Sequence, residues 1–458
     1  MSRIVAALFL VVALGPVQAQ EAASDHVAGL LAPYEASAEQ DKAFRQLIFD
    51  AIAAHPKVRS AFARRGQASA DRDAARAVLR PQLSVEMQGR ASLASDFGND
   101  FDNLVDRSQS DDDARASLVA RQLLFDGGAA SGRVRAAGFA EDEASANAEA
   151  DINDFALQAI TAYYDVVRYR MIQDLMAGNV ARHQTVLDDI RSRLSQGVAG
   201  ARDEARGQAR LADARARLVG AERQLEAARS RYVSIFDDSP AMAVLPELPY
   251  SDMPDREGVE DRALKDSPLL EAAENRQEAS AAEYRAAKTE RYIPSISVEL
   301  RGTRYNIGES GEDYDVSAIL AVNYSLYSGG LKSARENRAL QQLRETQYDA
   351  EATRREILMR VRTAYQSVGS LSEELRLLEA AVAANARSRD IFLEQYSVAG
   401  GSVLDVFQSE DDYVAAAQAY INGLVDHALS VYALEAETGQ LLPEFDFYLT
   451  DGLGDGGE

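Results

Sequence analysis

Residues 313–330, DYDVSAILAVNYSLYSGG, alternate in a way that leaves few folds open. Tyr314, Val316, Ala318, Leu320, Val322, Tyr324 and Leu326 fall on one side of an extended chain. Asp315, Ser317, Asn323 and Ser325 fall on the other, with Ile319, Ala321 and Tyr327 as exceptions. This period of two predicts a strand with one apolar face. About ten such residues also cross a bilayer when tilted. The stretch closes on Gly329-Gly330, and residues of helical composition then run without proline as far as Pro443.

The same unit occurs earlier in the chain. Leu83, Val85, Met87, Gly89, Ala91 and Leu93 alternate with Ser84, Glu86, Gln88, Arg90 and Ser92. Ala114, Ala116, Leu118 and Ala120 alternate with Arg115, Ser117 and Arg121 up to Gly127-Gly128. Ile296, Val298, Leu300 and Gly302 alternate with Ser297, Glu299, Arg301 and Thr303. Strands are therefore expected at about 82–93, 114–125, 295–305 and 314–327. The Gly pairs Gly127-Gly128 and Gly329-Gly330 read as conformational relief where strand becomes helix.

The helical stretches complete a duplication. Residues 129–236 contain no proline and are rich in Ala, Arg, Glu, Leu and Gln, the composition of long helices and coiled coils. Gly197-Val198-Ala199-Gly200 interrupts them, predicting a hairpin with arms of roughly 65 and 35 residues. Gly127-Gly128 and Gly329-Gly330, Thr161-Ala162-Tyr163 and Thr363-Ala364-Tyr365, and Asp203 and Asp405 all stand 202 residues apart. The expected organisation is a leader at 1–19, a flexible segment at 20–41, a first repeat at 42–238 and a Pro-rich linker at 239–258. A second repeat at 259–440 and a tail at 441–458 follow. The hairpin tips are expected near 195–203 and 397–405.

Residues 1–19 have the pattern of a secretory signal: Arg3, an apolar core from Ile4 to Leu14, and Val17-Gln18-Ala19. That core is too short for a spanning helix. With 73 acids against 49 bases the formal charge is −24, which argues against nucleic acid as a partner and suits a pore that favours cations. Cysteine is absent, which excludes disulfides, thiolate metal sites and a lipidated Cys.

Four membrane-length strands cannot close a barrel, and an open sheet edge in lipid leaves backbone groups unsatisfied at several kcal/mol each. Barrels begin at about eight strands. The chain is thus expected to oligomerise through its strands, with eight in a dimer or twelve in a trimer, and to form a second cylinder from its helices.

Several motifs together give the chain a resemblance. They are the RPQLSVEMQGR strand entry, the LLFDGG and YSLYSGG strand exits, the TAYY and TAYQ helices, and YSVAGGSVLDV at the second tip. With the leader, they make the chain similar to the TolC family of outer-membrane channels over nearly its whole length. The resemblance implies an α+β membrane protein and a homotrimer. Each protomer would supply four strands to a twelve-stranded barrel in outer-membrane lipid, and long antiparallel helices to a periplasmic α-barrel. It also implies export, through a periplasmic adaptor protein and an inner-membrane transporter.

At the tips, the resemblance matches Asp405 to an aperture carboxylate and places Gln408 where a second Asp is usual. It makes Asp203 the repeat equivalent of Asp405, with Tyr396 reaching it across the gap. Gly401 stands where a basic latch residue is expected, and Arg202 is its candidate substitute. Read from the residues alone, Asp203 and Asp405 are equally first-turn residues after a turn.

Residues 193–232 resemble the branch that serves type I protein secretion with an ABC transporter. The alternative is the channel of a drug or small-molecule efflux pump with a proton-driven transporter. A further alternative is a periplasmic coiled-coil adaptor without a pore. The acidic loop at 94–113 lacks Ca²⁺-loop spacing, and the four His are scattered without metal spacing. GGAASGR lacks the Lys-Ser/Thr ending of a phosphate loop, and no catalytic constellation is visible. No cofactor, metal or enzymatic role is expected.

Overall fold

The computed structural model describes residues 29–91, 112–198, 200–240, 244–249, 255–305, 307, 313–399 and 401–448. The leader, most of the acidic loop at 94–113, most of the shorter acidic loop expected at 308–313 and the end of the tail lie outside these residues. Among the described residues, no helix is long and apolar enough to cross a membrane.

The elements are α1 (Ala38–Ala54), α2 (Pro56–Ala77), β1 (Gln82–Ala91), β2 (Asp112–Phe125), α3 (Ala129–Ser195) and α4 (Ala201–Phe236). They continue with α5 (Arg256–Asp266), α6 (Pro268–Tyr292), β3 (Ser295–Tyr305), β4 (Asp313–Asn323), α7 (Leu331–Ala399), α8 (Val403–Glu437) and α9 (Leu441–Glu444). The hairpin arms hold 67 and 36 residues in the first repeat and 69 and 35 in the second. The chain forms two compact units.

One unit comprises Ser60–Ala150 and Pro268–Arg355 and carries the sheet. Its four strands lie in the order β1-β2-β3-β4, each antiparallel to its neighbour. The register aligns Val85 with Leu118, Leu118 with Gly302 and Gly302 with Val316, so the apolar residues share one face. That face is bare: Met87 is 78% exposed and Val316 75%. The opposite face is polar and internally paired. Arg301 bridges Glu86 at 3.4 Å and Glu299 at 3.0 Å, and Arg121 reaches Glu299 at 2.7 Å. Ser117 and Thr303 share a 3.0 Å hydrogen bond beside them. Among the described residues, the outer ladders of β1 and β4 have no partner strand.

The last strand is shorter than its alternation predicts. β4 stops at Asn323, which pairs with Ser295, and Tyr324 to Tyr327 lie beyond it with Leu326 90% exposed. The neighbouring strand explains this, because Pro294 precedes Ser295, has no N–H to donate, and ends the ladder. Gly127 and Gly128 stand at φ 71° and 89° between β2 and α3, and Gly329 and Gly330 at 61° and 88° between β4 and α7. A Cβ at Gly127 would also lie 2.7 Å from Ile293 Cγ2. In the helices of this unit, Arg72 pairs with Glu141 at 2.7 Å and Arg276 with Glu143 at 2.6 Å. These tie α2 and α6 to α3.

The other unit comprises Asp151–Ser267, Glu356–Glu458 and the N-terminal residues up to Arg59. Its core gathers aromatic rings from distant parts of the sequence: Phe44 lies 4.7 Å from Tyr163 and 5.9 Å from Phe445, and Tyr164 lies 5.9 Å from Tyr432. The start of the expected tail belongs to this core, since Leu441, Leu442, Phe445 and Phe447 are buried. The first helix begins at Ala38 rather than 42, because Ser37 and Gln40 form a capping box ahead of it. The Pro-rich stretch contributes a backbone bridge from Leu245 to Glu35 and a bond from the Tyr163 hydroxyl to the Val244 carbonyl, 3.0 Å long.

Candidate functional site at the hairpin tips

The first hairpin turns through a Gly-terminated helix end. Gly197 sits at φ 76°, its N–H bonds to the Leu194 carbonyl at 3.0 Å, and the Val198 N–H bonds to the Arg193 carbonyl at 2.9 Å. This pair of bonds satisfies carbonyls that the end of α3 would leave open. α4 then starts at Ala201 with Asp203 and Glu204 in its first turn. The second tip is built differently. Gly401 lies against the Tyr396 backbone, where an added Cβ would come within 3.3 Å, and donates to the Gln395 carbonyl at 3.4 Å. α8 starts after Ser402 with Asp405 in its first turn. Both acids therefore occupy helix N-terminal positions that favour negative charge.

Asp405 is exposed, as is Gln408, which donates to Asp412 Oδ1 at 2.9 Å. Arg202 is 78% exposed, and its ion-pair contact is with its own neighbour Asp203, at 3.9 Å. Tyr396 is buried, with the Arg193 guanidinium 4.4 Å over its ring. Arg193 is itself fixed by Asp189 at 2.8 Å. The Tyr396 hydroxyl makes no hydrogen bond of ordinary geometry. Burial raises its pKa, with the Asp189 carboxylate adding to the shift, Arg193 opposing it and Asp203 contributing least. The expected Asp203–Tyr396 bond is thus not formed in this structure. The cation on α3 holds the ring instead.

Two residues beyond Gln408 begins a charged cluster that the sequence reading missed. Glu410 is buried and meets the guanidinium of Arg182, with Asn179 Nδ2 at 3.4 Å and Arg389 at 4.0 Å. Asp411 beside it pairs with Arg210 at 2.9 Å and Arg217 at 3.0 Å. Both arginines lean on Tyr413, Arg389 at 4.2 Å from the ring centre and Arg182 at 5.8 Å. The cluster therefore joins α3, α4, α7 and α8. A signal existed, since Glu410 falls on the apolar spacing of Val406, Phe407, Tyr413, Val414 and Ala417. An acid at such a position requires a cation inside. Among the described residues, no group of His, Asp and Glu could hold a metal ion.

The chain as a whole is similar to known proteins. The family model described as outer membrane efflux protein matches residues 47–233 and 259–440. The outer membrane efflux protein BepC of Brucella suis biovar 1 (strain 1330) is 25% identical over 338 residues, covering 71% of this chain and 72% of that protein. The outer membrane protein VceC of Vibrio cholerae superposes with a TM-score of 0.73 at 18% identity, over 86% of this chain and 95% of that one. The MtrE outer membrane channel of Neisseria gonorrhoeae, in its open state, gives 0.73 at 19% identity, over 87% and 89%.

Proposed function

Because this chain belongs to the outer membrane efflux protein family, we propose that it is the outer-membrane conduit of a tripartite export system. It is an outer-membrane protein whose helical part stands in the periplasm. The observation that carries the proposal is the sheet, with a bare apolar face, a self-paired polar face and two unpartnered edges. In hydrocarbon those edges are untenable. Three copies join them into a closed barrel of about twelve strands, apolar toward lipid and polar toward water. The test is the mass of the detergent-purified protein together with its conductance in planar bilayers. A trimer giving discrete conductance steps supports the reading, and a water-soluble monomer ends it.

Asp405 is the aperture residue in this proposal. It is exposed, it lies at a helix start, and three copies about a trimer axis would place a ring of carboxylates in the path of ions. Gln408 adds no charge to that ring. Asp405→Ala is expected to lower cation selectivity in the same bilayers, and an unchanged reversal potential counts against the ring.

The pump partner divides two readings. Residues 193–232 favour type I protein secretion, with an ABC transporter behind the adaptor. BepC is an outer membrane efflux protein, and that similarity favours the alternative, an efflux channel. Affinity capture of the cross-linked complex, with identification of the inner-membrane partner, separates them.

A further inference from the structure

We propose that a basic cleft between α3, α6 and α7 binds anionic amphiphiles on the luminal side of the channel, a proposal that rests on the barrel reading above. The cleft measures about 700 Å³, within the range of sites for drug-sized molecules. Its charge opposes that of the chain. The protein carries a formal charge of −24, yet five cations line the cleft, Arg133, Arg291, Lys332, Arg335 and Arg338, against two carboxylates.

Those carboxylates do not neutralise the rim. Glu290 is shared by Arg133 and, at 3.7 Å, by Arg335. Arg291 is satisfied outside the lining by Glu336 at 2.6 Å. The Lys332 ammonium donates to a neutral acceptor, the Glu290 carbonyl, at 3.1 Å. Arg338 is exposed and has no acidic partner within ion-pair distance among the described residues. The floor is of another character, since six alanines of the three helices line it. An apolar floor under a rim that keeps an excess of positive charge fits a ligand with an apolar body and a sulfonate, phosphate or carboxylate head. Charge-assisted hydrogen bonds to arginine supply the stronger part of such recognition, and the alanine surface supplies the rest by burial. A small anion without the body meets only exposed, solvent-screened cations.

The neighbouring cleft fixes the side on which this one opens. It shares Arg133, Glu290 and Lys332 and extends to Ser295 and Asn323, which pair on the polar face of the sheet. In a closed barrel that face lines the water-filled lumen. A molecule entering the barrel from the helical end would therefore meet the cleft before the strands.

The experiment is a fluorescence titration of anilinonaphthalene sulfonate with the full-length trimer in phosphatidylcholine nanodiscs, against empty discs. Saturable uptake is expected, with inorganic sulfate and a naphthyl-ammonium cation of similar size both failing to compete. R335A/R338A is expected to weaken uptake roughly tenfold or more, and R335K/R338K to keep most of it. Wild-type uptake by R335A/R338A overturns the proposal, as does equal competition by the cation, or no saturable uptake at all. Discs containing phosphatidylglycerol separate the two sources of such a head group. If that lipid abolishes uptake, the cleft faces the membrane leaflet and the luminal placement is wrong. Planar-bilayer conductance of the unmodified trimer reports on the pore by itself, so a conducting trimer that takes up no probe removes the cleft and keeps the channel.

Discussion

The short arms of the two hairpins, α4 and α8, have nearly the same length and opposite environments. α4 buries 7 of its 36 residues, and they recur at spacings of three, four and seven, as one thin stripe. α8 buries 16 of its 35, around much of its circumference. The 202-residue offset that relates the repeats sets Ile421, fully buried, against Val219, 64% exposed, and buried Glu410 against Gln208, which is exposed. Duplication thus preserved the length and direction of the arm while its surroundings were rewritten residue by residue. Position in the repeat does not predict burial here. The density of Arg and Glu on α4, and of Val and Tyr on α8, does.

The contrast breaks most readily at the charged cluster. Glu410→Ala leaves Arg182 and Arg389 facing a buried gap, and is expected to cost about 3–5 kcal/mol. Gln208→Ala, its repeat equivalent, should stay within about 0.5 kcal/mol. Guanidinium unfolding followed by helical circular dichroism reads both, and equal costs would remove the asymmetry. Ile421→Ala is expected to cost about 2–5 kcal/mol through the cavity it leaves. Val219→Ala should be close to neutral, unless another chain covers α4 in the assembly, which a large loss of trimer stability would reveal.

A third test uses pH. Burial, with the Glu444 carboxylate adding to it and Arg262 and Arg45 opposing, raises the pKa of Glu435 on α8 to about 7. Its Oε2 has no hydrogen-bond partner among the described residues. The unfolded chain releases this proton near pH 4.5 and the folded chain near 7. Stability is therefore highest on the acid side of that window, falls as pH rises through it, and stays reduced above. Glu435→Gln is expected to stabilise by up to about 3 kcal/mol near pH 8 and by little near pH 4. A gain independent of pH would assign the effect to packing. The smallest effect belongs to α4, where Arg229 and Glu226 pair at 2.6 Å in open solvent. Arg229→Ala should change stability by less than about 0.5 kcal/mol, and less still in high salt.

Much of this architecture was legible because it is periodic. Alternation located the four strands, absence of proline located the long arms, and the glycine pairs located the turns between them. The reading failed where a local pattern depended on something remote. Tyr324 and Leu326 continue the alternation of β4, but Pro294, just ahead of the adjacent strand, has no N–H to offer them. Leu441, Leu442, Phe445 and Phe447 look like a tail until Phe44 and Tyr432 supply the aromatic contacts that hold Phe445. At the tips, the first-turn position of Asp405 was legible from the turn before it. The partner of Tyr396 was not, because Arg193 and Asp203 stand on either side of the same turn and only packing selects between them. Glu410 was legible only from its place on the apolar spacing of α8, since the run Glu410-Asp411-Asp412 does not by itself mark which member turns inward.

The unpaired outer ladders of β1 and β4 have a consequence for biogenesis. A protomer that enters the bilayer alone has nowhere to hide its rim, so insertion and assembly become one step, governed by mass action among copies. Stability of the membrane-embedded form is then a property of its abundance, and dilution within the lipid plane opposes it as directly as heat.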